Sequence, residues 1–128
     1  TCSCLGVILE IIEPCGFHTS DKRFKRIVMD YFDDVKIRFY RDEKHFFKSK
    51  VNQRIILMTT KAKKNYTDFK FKKNDTLLFG RESSGVPEKI HKKLKNKLKI
   101  PMIKKKRSLN ISTSVSIAVS EAIRQINF

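Results

Sequence analysis

The sequence predicts an α/β domain with a mostly parallel sheet flanked by helices. Short, almost continuously apolar runs, with the length of buried strands, alternate with segments whose apolar residues recur at helical spacing. Prolines and glycines stand at the ends of several runs, where they interrupt regular structure. No Gly- or Ser-rich linker divides the 128 residues. We therefore expect a single domain over residues 1–128.

Each predicted element follows from one of these two periodicities. The apolar runs, such as VILEIIE and RIILMT, predict strands at residues 7–13, 35–40, 54–59, 76–79 and 98–100. Helical spacing predicts helices at residues 21–31, 42–51 and 87–94, followed by a C-terminal helix capped by Ser112 or Ser114. The residues expected to turn this last helix toward the core are Val115, Ala118, Val119, Ala122 and Ile126. The first six residues, ending at Gly6, are typical of the last turn of a helix with a glycine cap.

The charge of the chain favours a polyanionic partner. Lys and Arg number 29 against 13 Asp and Glu, for a formal net charge of +16. Ten of the nineteen residues from 89 to 107 are basic and none is acidic, so no neutralising neighbours interrupt this stretch. Clustering of this kind indicates contact with nucleic acid. The alternative is a compositional bias toward lysine, in which the charges only solvate the surface.

Other patterns restrict the class of protein. No apolar run approaches the roughly 18 residues of a membrane-spanning helix, and no export signal is visible, so we expect no membrane partner. The three cysteines form no CxxC pair, and we expect them to be small core residues of a cytoplasmic protein. The three histidines show no ligand spacing, so we expect no metal.

The segment GRESSG at residues 80–85 is a candidate ligand-binding loop. It follows a predicted strand and precedes a predicted helix, the usual position of a binding loop in an α/β fold. Val86 and Pro87 stand where a P-loop requires Lys and Ser or Thr, so a nucleoside triphosphate site is not indicated. The glycines suit a backbone that closes on a flat ligand, and an ordinary turn is the alternative. On the first interpretation, a Gly80→Val substitution should block the ligand and leave the fold intact.

Several motifs together resemble the SpoU–TrmD (SPOUT) superfamily of α/β-knot RNA methyltransferases. The likeness extends over essentially the whole chain and is greatest to the tRNA (cytidine/uridine-2′-O-)-methyltransferases of that superfamily. It is carried by IIEPCGF, DKRFKR, LMTTK, LLFGRESSGVP, IPM, RSLNIS and SEAIRQ. The resemblance implies an α/β-knot fold in which the C-terminal segment forms a deep trefoil knot. It also implies transfer of a methyl group from S-adenosylmethionine to a tRNA ribose 2′-hydroxyl, at the wobble nucleotide, by a homodimer.

The resemblance also implies the residues of the site. Those at cofactor-binding positions of the family are Met58, Thr59, Gly80, Ile100, Ser108 and Leu109. Glu82 and Asn110 occupy positions linked to catalysis and active-site organisation. The basic residues Lys104, Lys105, Lys106 and Arg107 lie between two cofactor segments, and we expect them to bind RNA near the methyl donor.

The chain departs from the family pattern at its N-terminus. Family members begin with a strand and an N-x-G-x-x-x-R segment, whose arginine is thought to activate the ribose hydroxyl, and neither is present before Thr1. We therefore expect a domain that is N-terminally truncated relative to the family. The alternative to an active enzyme is a homologue that binds the cofactor or RNA without turnover.

Overall fold

The structure, a computed structural model, describes residues 1–15, 22, 24, 26, 36–104 and 106–127. The chain divides into two compact units, Thr1–Val51 and Asn52–Phe128. Most of the helix predicted at residues 21–31 lies outside the described residues, although 22, 24 and 26 are helical. That the chain forms one domain over residues 1–128 stays a prediction.

The first unit contains two parallel strands and one helix. Strand β1 (Leu9–Ile12) pairs with β2 (Ile37–Tyr40), with Leu9 opposite Ile37. The turn before β1 is a glycine-capped helical turn, as predicted. The Val7 amide donates to the Cys2 carbonyl and the Gly6 amide to the Ser3 carbonyl, while Gly6 has a φ of 63°. This pair of hydrogen bonds is the Schellman motif, which needs a left-handed residue such as glycine.

Helix α1 (Glu43–Ser49) begins after Asp42, whose carboxylate accepts a hydrogen bond of 2.7 Å from the His45 amide. The first unit also buries a charged contact. Glu10 Oε1 accepts hydrogen bonds of 2.8 Å from the buried Lys50 ammonium and from the Tyr40 hydroxyl. A buried ammonium requires such a partner, because an unpaired charge away from water is costly.

The second unit contains a four-stranded sheet in the order β4-β6-β3-β5, in which every pair is parallel. Its strands are β3 (Ile55–Met58), β4 (Lys64–Asn65), β5 (Thr76–Leu78) and β6 (Asn96–Lys99), and its helices are α2 (Glu88–Lys93) and α3 (Ile111–Asn127). All four residues of β3 are buried, as a continuously apolar run predicts. The α/β class and the parallel pairing are thus confirmed, while the trefoil knot stays a prediction.

The core of this unit lies between the sheet and α3. Ile56, Met58 and Leu98 from the sheet cluster with Phe71 and Ala118. Ala118 and Val119 are buried as predicted, but Ile126 is 40% exposed, so the apolar face of α3 leaves the core before the helix ends. There Gln125 fixes the helix instead. Its amide accepts from the Phe71 N–H at 3.0 Å and donates to the Phe69 carbonyl at 3.1 Å.

Polar contacts also hold the loop before β5. Arg54 donates to Asp75 through Nε at 2.7 Å and also through its terminal nitrogen. These hydrogen bonds raise the pKa of the Arg54 guanidinium. Asp75 in turn accepts from the Lys72 amide at 2.8 Å, so one carboxylate ties the loop to the start of β3.

Several sequence predictions need correction. The short edge strand β4 and the 3-10 turn after it, Tyr66–Asp68, were not predicted, because two residues are too few to show a periodicity. Strand β6 begins at Asn96 rather than at residue 98. Helix α3 begins at Ile111 and is capped by Asn110 rather than by Ser112 or Ser114. The cysteines are not core residues, since Cys4 is exposed and Cys2 and Cys15 are half-buried.

In the described part of the chain, no helix combines the length and apolarity needed to cross a membrane.

Candidate active site

A cavity of about 310 Å³ opens at the carboxyl ends of β3, β5 and β6. Parallel strands bring the segments that follow them to one edge of the sheet, which is where ligands bind in open α/β folds. Residues from the segments 58–61, 79–86 and 100–102 contribute to the wall in this way, and Ser108, Leu109 and the first residue of α3, Ile111, complete it. The volume falls within the range of about 300–1,000 Å³ that is typical of small-molecule sites.

The structure brings the candidate cofactor residues together at this cavity. All six line its wall: Met58, Thr59, Gly80, Ile100, Ser108 and Leu109. Met58 is buried, whereas Leu109 is 38% exposed. The wall therefore runs from the apolar core of the unit to the surface. Such a gradient suits a ligand with one apolar end and one charged end, because only the charged end must stay near water.

Loop 80–85 is held closed by its own backbone. Arg81 and Gly85 form an antiparallel bridge, with hydrogen bonds of 3.2 Å and 2.8 Å between their backbone groups. Gly85 has a φ of 67°, which a residue with a side chain adopts only with strain. The tip of the loop, residues 82–84, is exposed. The loop thus presents the Glu82 side chain at the mouth of the cavity.

The expectation that Gly80→Val would block the ligand and leave the fold intact was wrong about the fold. A Cβ at Gly80 would lie 2.4 Å from the Gly85 carbonyl carbon and 2.6 Å from the Val86 amide nitrogen. The missing side chain makes room for the loop's own backbone rather than only for a ligand. A valine there would therefore distort the loop, and the fold would not stay intact around it.

The two candidate catalytic residues contact each other. The Asn110 amide nitrogen donates to Glu82 Oε1 at 3.4 Å. The amide oxygen of Asn110 accepts from the Ser112 N–H at 2.9 Å, the Ser112 hydroxyl at 2.7 Å and the Thr113 N–H at 3.3 Å. Because these donors occupy the oxygen, the amide nitrogen must face Glu82. Asn110 therefore caps α3 and holds the Glu82 carboxylate near the positive end of that helix.

Other cavity-lining residues were not assigned a role from the sequence. Among them are Lys61, which forms an exposed ion pair of 3.7 Å with Glu88, and His91, which is only 8% exposed. The helical spacing of the sequence could have placed His91 on the buried face of its helix, because it directly follows Ile90 and precedes Leu94 by three residues. Both of these apolar residues are buried. Among the described residues, no three His, Cys, Asp or Glu side chains are arranged as a metal site requires.

The candidate RNA-binding residues lie on an exposed segment beside the cavity. Lys104, Lys106 and Arg107 are exposed, and Lys105 lies outside the described residues. Ile103, the residue before them, is 75% exposed. The segment connects Met102 to Ser108, both of which line the cavity. The basic residues are therefore flanked in the sequence, on both sides, by residues that line the cavity.

Comparison with known proteins decides the family. The SpoU rRNA Methylase family matches residues 1–120, which span both compact units. The chain belongs to this family. Two similar members are named tRNA (cytidine(34)-2′-O)-methyltransferase. The protein of Beijerinckia indica is 42% identical over 98% of this chain and 79% of its own length, and that of Escherichia coli K12 is 36% identical over 99% and 82%.

The fold agrees with solved structures of SpoU-type enzymes. A structure described as giving insights into the 2-OH methylation of C/U34 on tRNA superimposes with a TM-score of 0.89. It is 34% identical, and the match covers 97% of this chain and 82% of that one. A putative RNA methyltransferase from Bacillus anthracis gives a TM-score of 0.87 at 35% identity, over 99% of this chain and 82% of that one. The resemblance to the SPOUT methyltransferases is thus confirmed.

Proposed function

We propose that this chain transfers a methyl group from S-adenosylmethionine to the ribose 2′-hydroxyl of nucleotide 34 of a tRNA, in the cytoplasm. Two relatives carry the name of this tRNA methylation, at 42% and 36% identity over nearly the full chain. The observation that carries the proposal is the cavity at the strand ends, with the Glu82–Asn110 contact at its edge. The activity needs a cofactor cavity next to a group that holds the ribose, because the methyl donor must lie beside the oxygen that receives the methyl group.

The cavity residues fit the donor. Met58 and Ile100 offer apolar wall to an adenosyl group, and the exposed end near Glu82 leaves a charged amino-acid portion close to water. Thr59, Gly80, Ser108 and Leu109 would complete the binding surface. When bound, S-adenosylmethionine supplies a methyl group already activated by its sulfonium.

Glu82 and Asn110 would orient the receiving ribose. Asn110 occupies one oxygen of the Glu82 carboxylate, Oε1. The other oxygen can accept a hydrogen bond from the 2′-hydroxyl and so orient that oxygen toward the cavity. Because the Asn110 amide is fixed by its cap of α3, the carboxylate is held before the substrate arrives.

The RNA would approach along the basic segment. Lys104, Lys105, Lys106 and Arg107 act as a local concentration of positive charge, with Lys104, Lys106 and Arg107 exposed. Lysine contacts to phosphates position an RNA without reading its sequence. The choice of nucleotide 34 therefore depends on other contacts.

A second copy of the chain would complete the active site, as the family resemblance implies. Ile117 and Ile123 of α3 are half-buried within the chain, and Ile126 is 40% exposed. These side chains are the candidates for the apolar centre of a two-fold interface. Sedimentation at micromolar concentration should give a dimer, and a purely monomeric protein would contradict this part of the proposal.

The test of the activity is methyl transfer from tritiated S-adenosylmethionine to bulk tRNA, followed by mapping of the labelled nucleotide. We expect label on the ribose of nucleotide 34 and its loss in Glu82→Gln. A matched control is Glu43→Gln, an acidic residue of α1. If the protein binds S-adenosylhomocysteine and tRNA but labels neither nucleotide 34 nor any other, it is a homologue that binds without turnover, and the proposed activity is wrong.

A further inference from the structure

His91 is a buried polar residue of the cavity wall to which the proposed mechanism gives no role. It lies on α2, and only 8% of its surface is exposed. Its backbone N–H donates to the Pro87 carbonyl at 3.2 Å. Within the part of the chain that the structure describes, its imidazole forms no hydrogen bond or ion pair.

The imidazole nitrogens are nevertheless not sealed from solvent. Among the described residues, no side-chain nitrogen or oxygen is both fully buried and without a hydrogen-bond partner. The nitrogens of His91 must therefore keep part of the residue's small exposure, and the residue lines the cavity. A neutral imidazole carries one donor and one acceptor, so a ligand in the cavity could form the hydrogen bonds for which the described residues offer no partner.

We propose that His91 forms a hydrogen bond with the nucleoside portion of the ligand that occupies the cavity. This rests on the proposed function, in which that ligand is S-adenosylmethionine. The position of His91 selects the nucleoside end. His91 is buried, as are Ile90 before it on α2 and Leu94 directly after the helix, whereas Arg81 and Glu82, which also line the cavity, are exposed. A neutral nucleoside loses less hydration at a buried site than a zwitterionic amino acid does.

This role predicts opposite effects of one substitution on stability and binding. His91→Leu replaces an imidazole that has no hydrogen-bond partner among the described residues with an apolar side chain. The thermal unfolding midpoint of the ligand-free protein should stay the same or rise, because no internal hydrogen bond is lost. The Kd of S-adenosylhomocysteine in calorimetry should increase about three- to tenfold. His91→Gln, which keeps a donor and an acceptor, should bind within about twofold of the parent protein.

A second ligand tests the assignment to the nucleoside. 5′-Methylthioadenosine lacks the amino-acid portion, so His91→Leu should weaken it by the same factor as S-adenosylhomocysteine. A loss confined to S-adenosylhomocysteine would overturn the assignment. A lowered unfolding midpoint in His91→Leu would also overturn the proposal, since it would reveal a partner within the protein.

The matched control is His45→Gln, an exposed histidine of α1 that is not part of the cavity wall. Its binding should equal that of the parent protein. This experiment distinguishes a failure of the proposed function from a failure of the role of His91. If the parent protein does not bind S-adenosylhomocysteine, the proposed function fails. If the parent binds and His91→Leu binds equally well, only the role of His91 is wrong.

Discussion

Loop 80–85 and segment 101–110 border the same cavity, but they are held in different ways. In loop 80–85, backbone groups of Arg81 and Gly85 pair with each other, and Gly80 leaves room for the returning chain. In segment 101–110, the described residues form no helix or strand, and the anchor is one side chain, Asn110. The first loop should therefore tolerate almost no change in backbone shape, whereas the conformation of the second should depend mainly on its anchor at Asn110.

The largest effect is expected at Gly80. Gly80→Ala places a Cβ less than 3 Å from the backbone of Gly85 and Val86, so the loop must open. The free energy of unfolding should fall by about 1–3 kcal/mol, and binding of S-adenosylhomocysteine should be lost. Denaturant unfolding and calorimetry measure the two effects.

Gly6→Ala is the control for this substitution. Gly6 has a positive φ as well, but nothing lies within 4 Å of the position where its Cβ would be. Its cost should be limited to the strained backbone, about 1 kcal/mol. Equal losses of stability in the two variants would mean that loop 80–85 is not closely packed.

The next effect concerns the basic segment. Substitution of Lys104, Lys105 and Lys106 by alanine should weaken tRNA binding about tenfold at moderate salt and reduce the salt slope by about 2. Affinity for S-adenosylhomocysteine should not change, because the charges act on the RNA. Filter binding over a series of salt concentrations gives both quantities.

A triple variant of equal charge controls for the overall charge of the protein. Lys70, Lys72 and Lys73 are exposed and lie on the loop before β5. Their substitution by alanine should weaken tRNA binding less than that of the first triple. The same loss and the same slope in both triples would mean that lysine bias alone explains the charge.

A smaller effect is expected at Asn110, where the two loops meet. Asn110→Ala removes the cap of α3 and should lower the free energy of unfolding by about 1 kcal/mol. Asn110→Asp keeps an oxygen for the helix but replaces the amide that faces Glu82 with a negative group. Its stability should stay close to that of the parent protein, while methyl transfer falls. Full activity in Asn110→Asp would argue against a role for the contact with Glu82.

The smallest effect is expected at the far end of α3. Hydrogen bonds from Arg124 and Gln125 lower the pKa of Glu121 to about 2. Because the pKa is lower in the folded state, this contribution to stability is present above about pH 4.5 and is lost as the pH falls toward 2. Carbon-13 NMR titration of the Glu121 carboxyl should show the low pKa, and Arg124→Gln should raise it without changing binding at the cavity. A titration midpoint near the ordinary value in the parent protein would exclude the Arg124 contact in solution.

The sequence predicted the parts of this molecule that depend on composition and periodicity. Strand β3 is short, continuously apolar and fully buried, as the run RIILMT predicts. The six cofactor candidates were identified by resemblance, and the fold brings them to one cavity. Three features could not be predicted because they arise from contacts between distant segments. These are the pairing of β4 with β6, the clash that a Cβ would make at Gly80, and the hydrogen bonds of the Gln125 side chain to the backbone of Phe69 and Phe71.

The most direct test of the central claim, that the cavity of the second unit binds the methyl donor, is an NMR titration of the nitrogen-15-labelled protein with S-adenosylhomocysteine. Shifts in amide resonances should appear at Thr59, Gly80 and Leu109, which lie on three separate segments of the cavity wall. The amides of β1 and β2 should change least. The absence of any shift at saturating ligand, or shifts confined to residues 1–51, would contradict the claim.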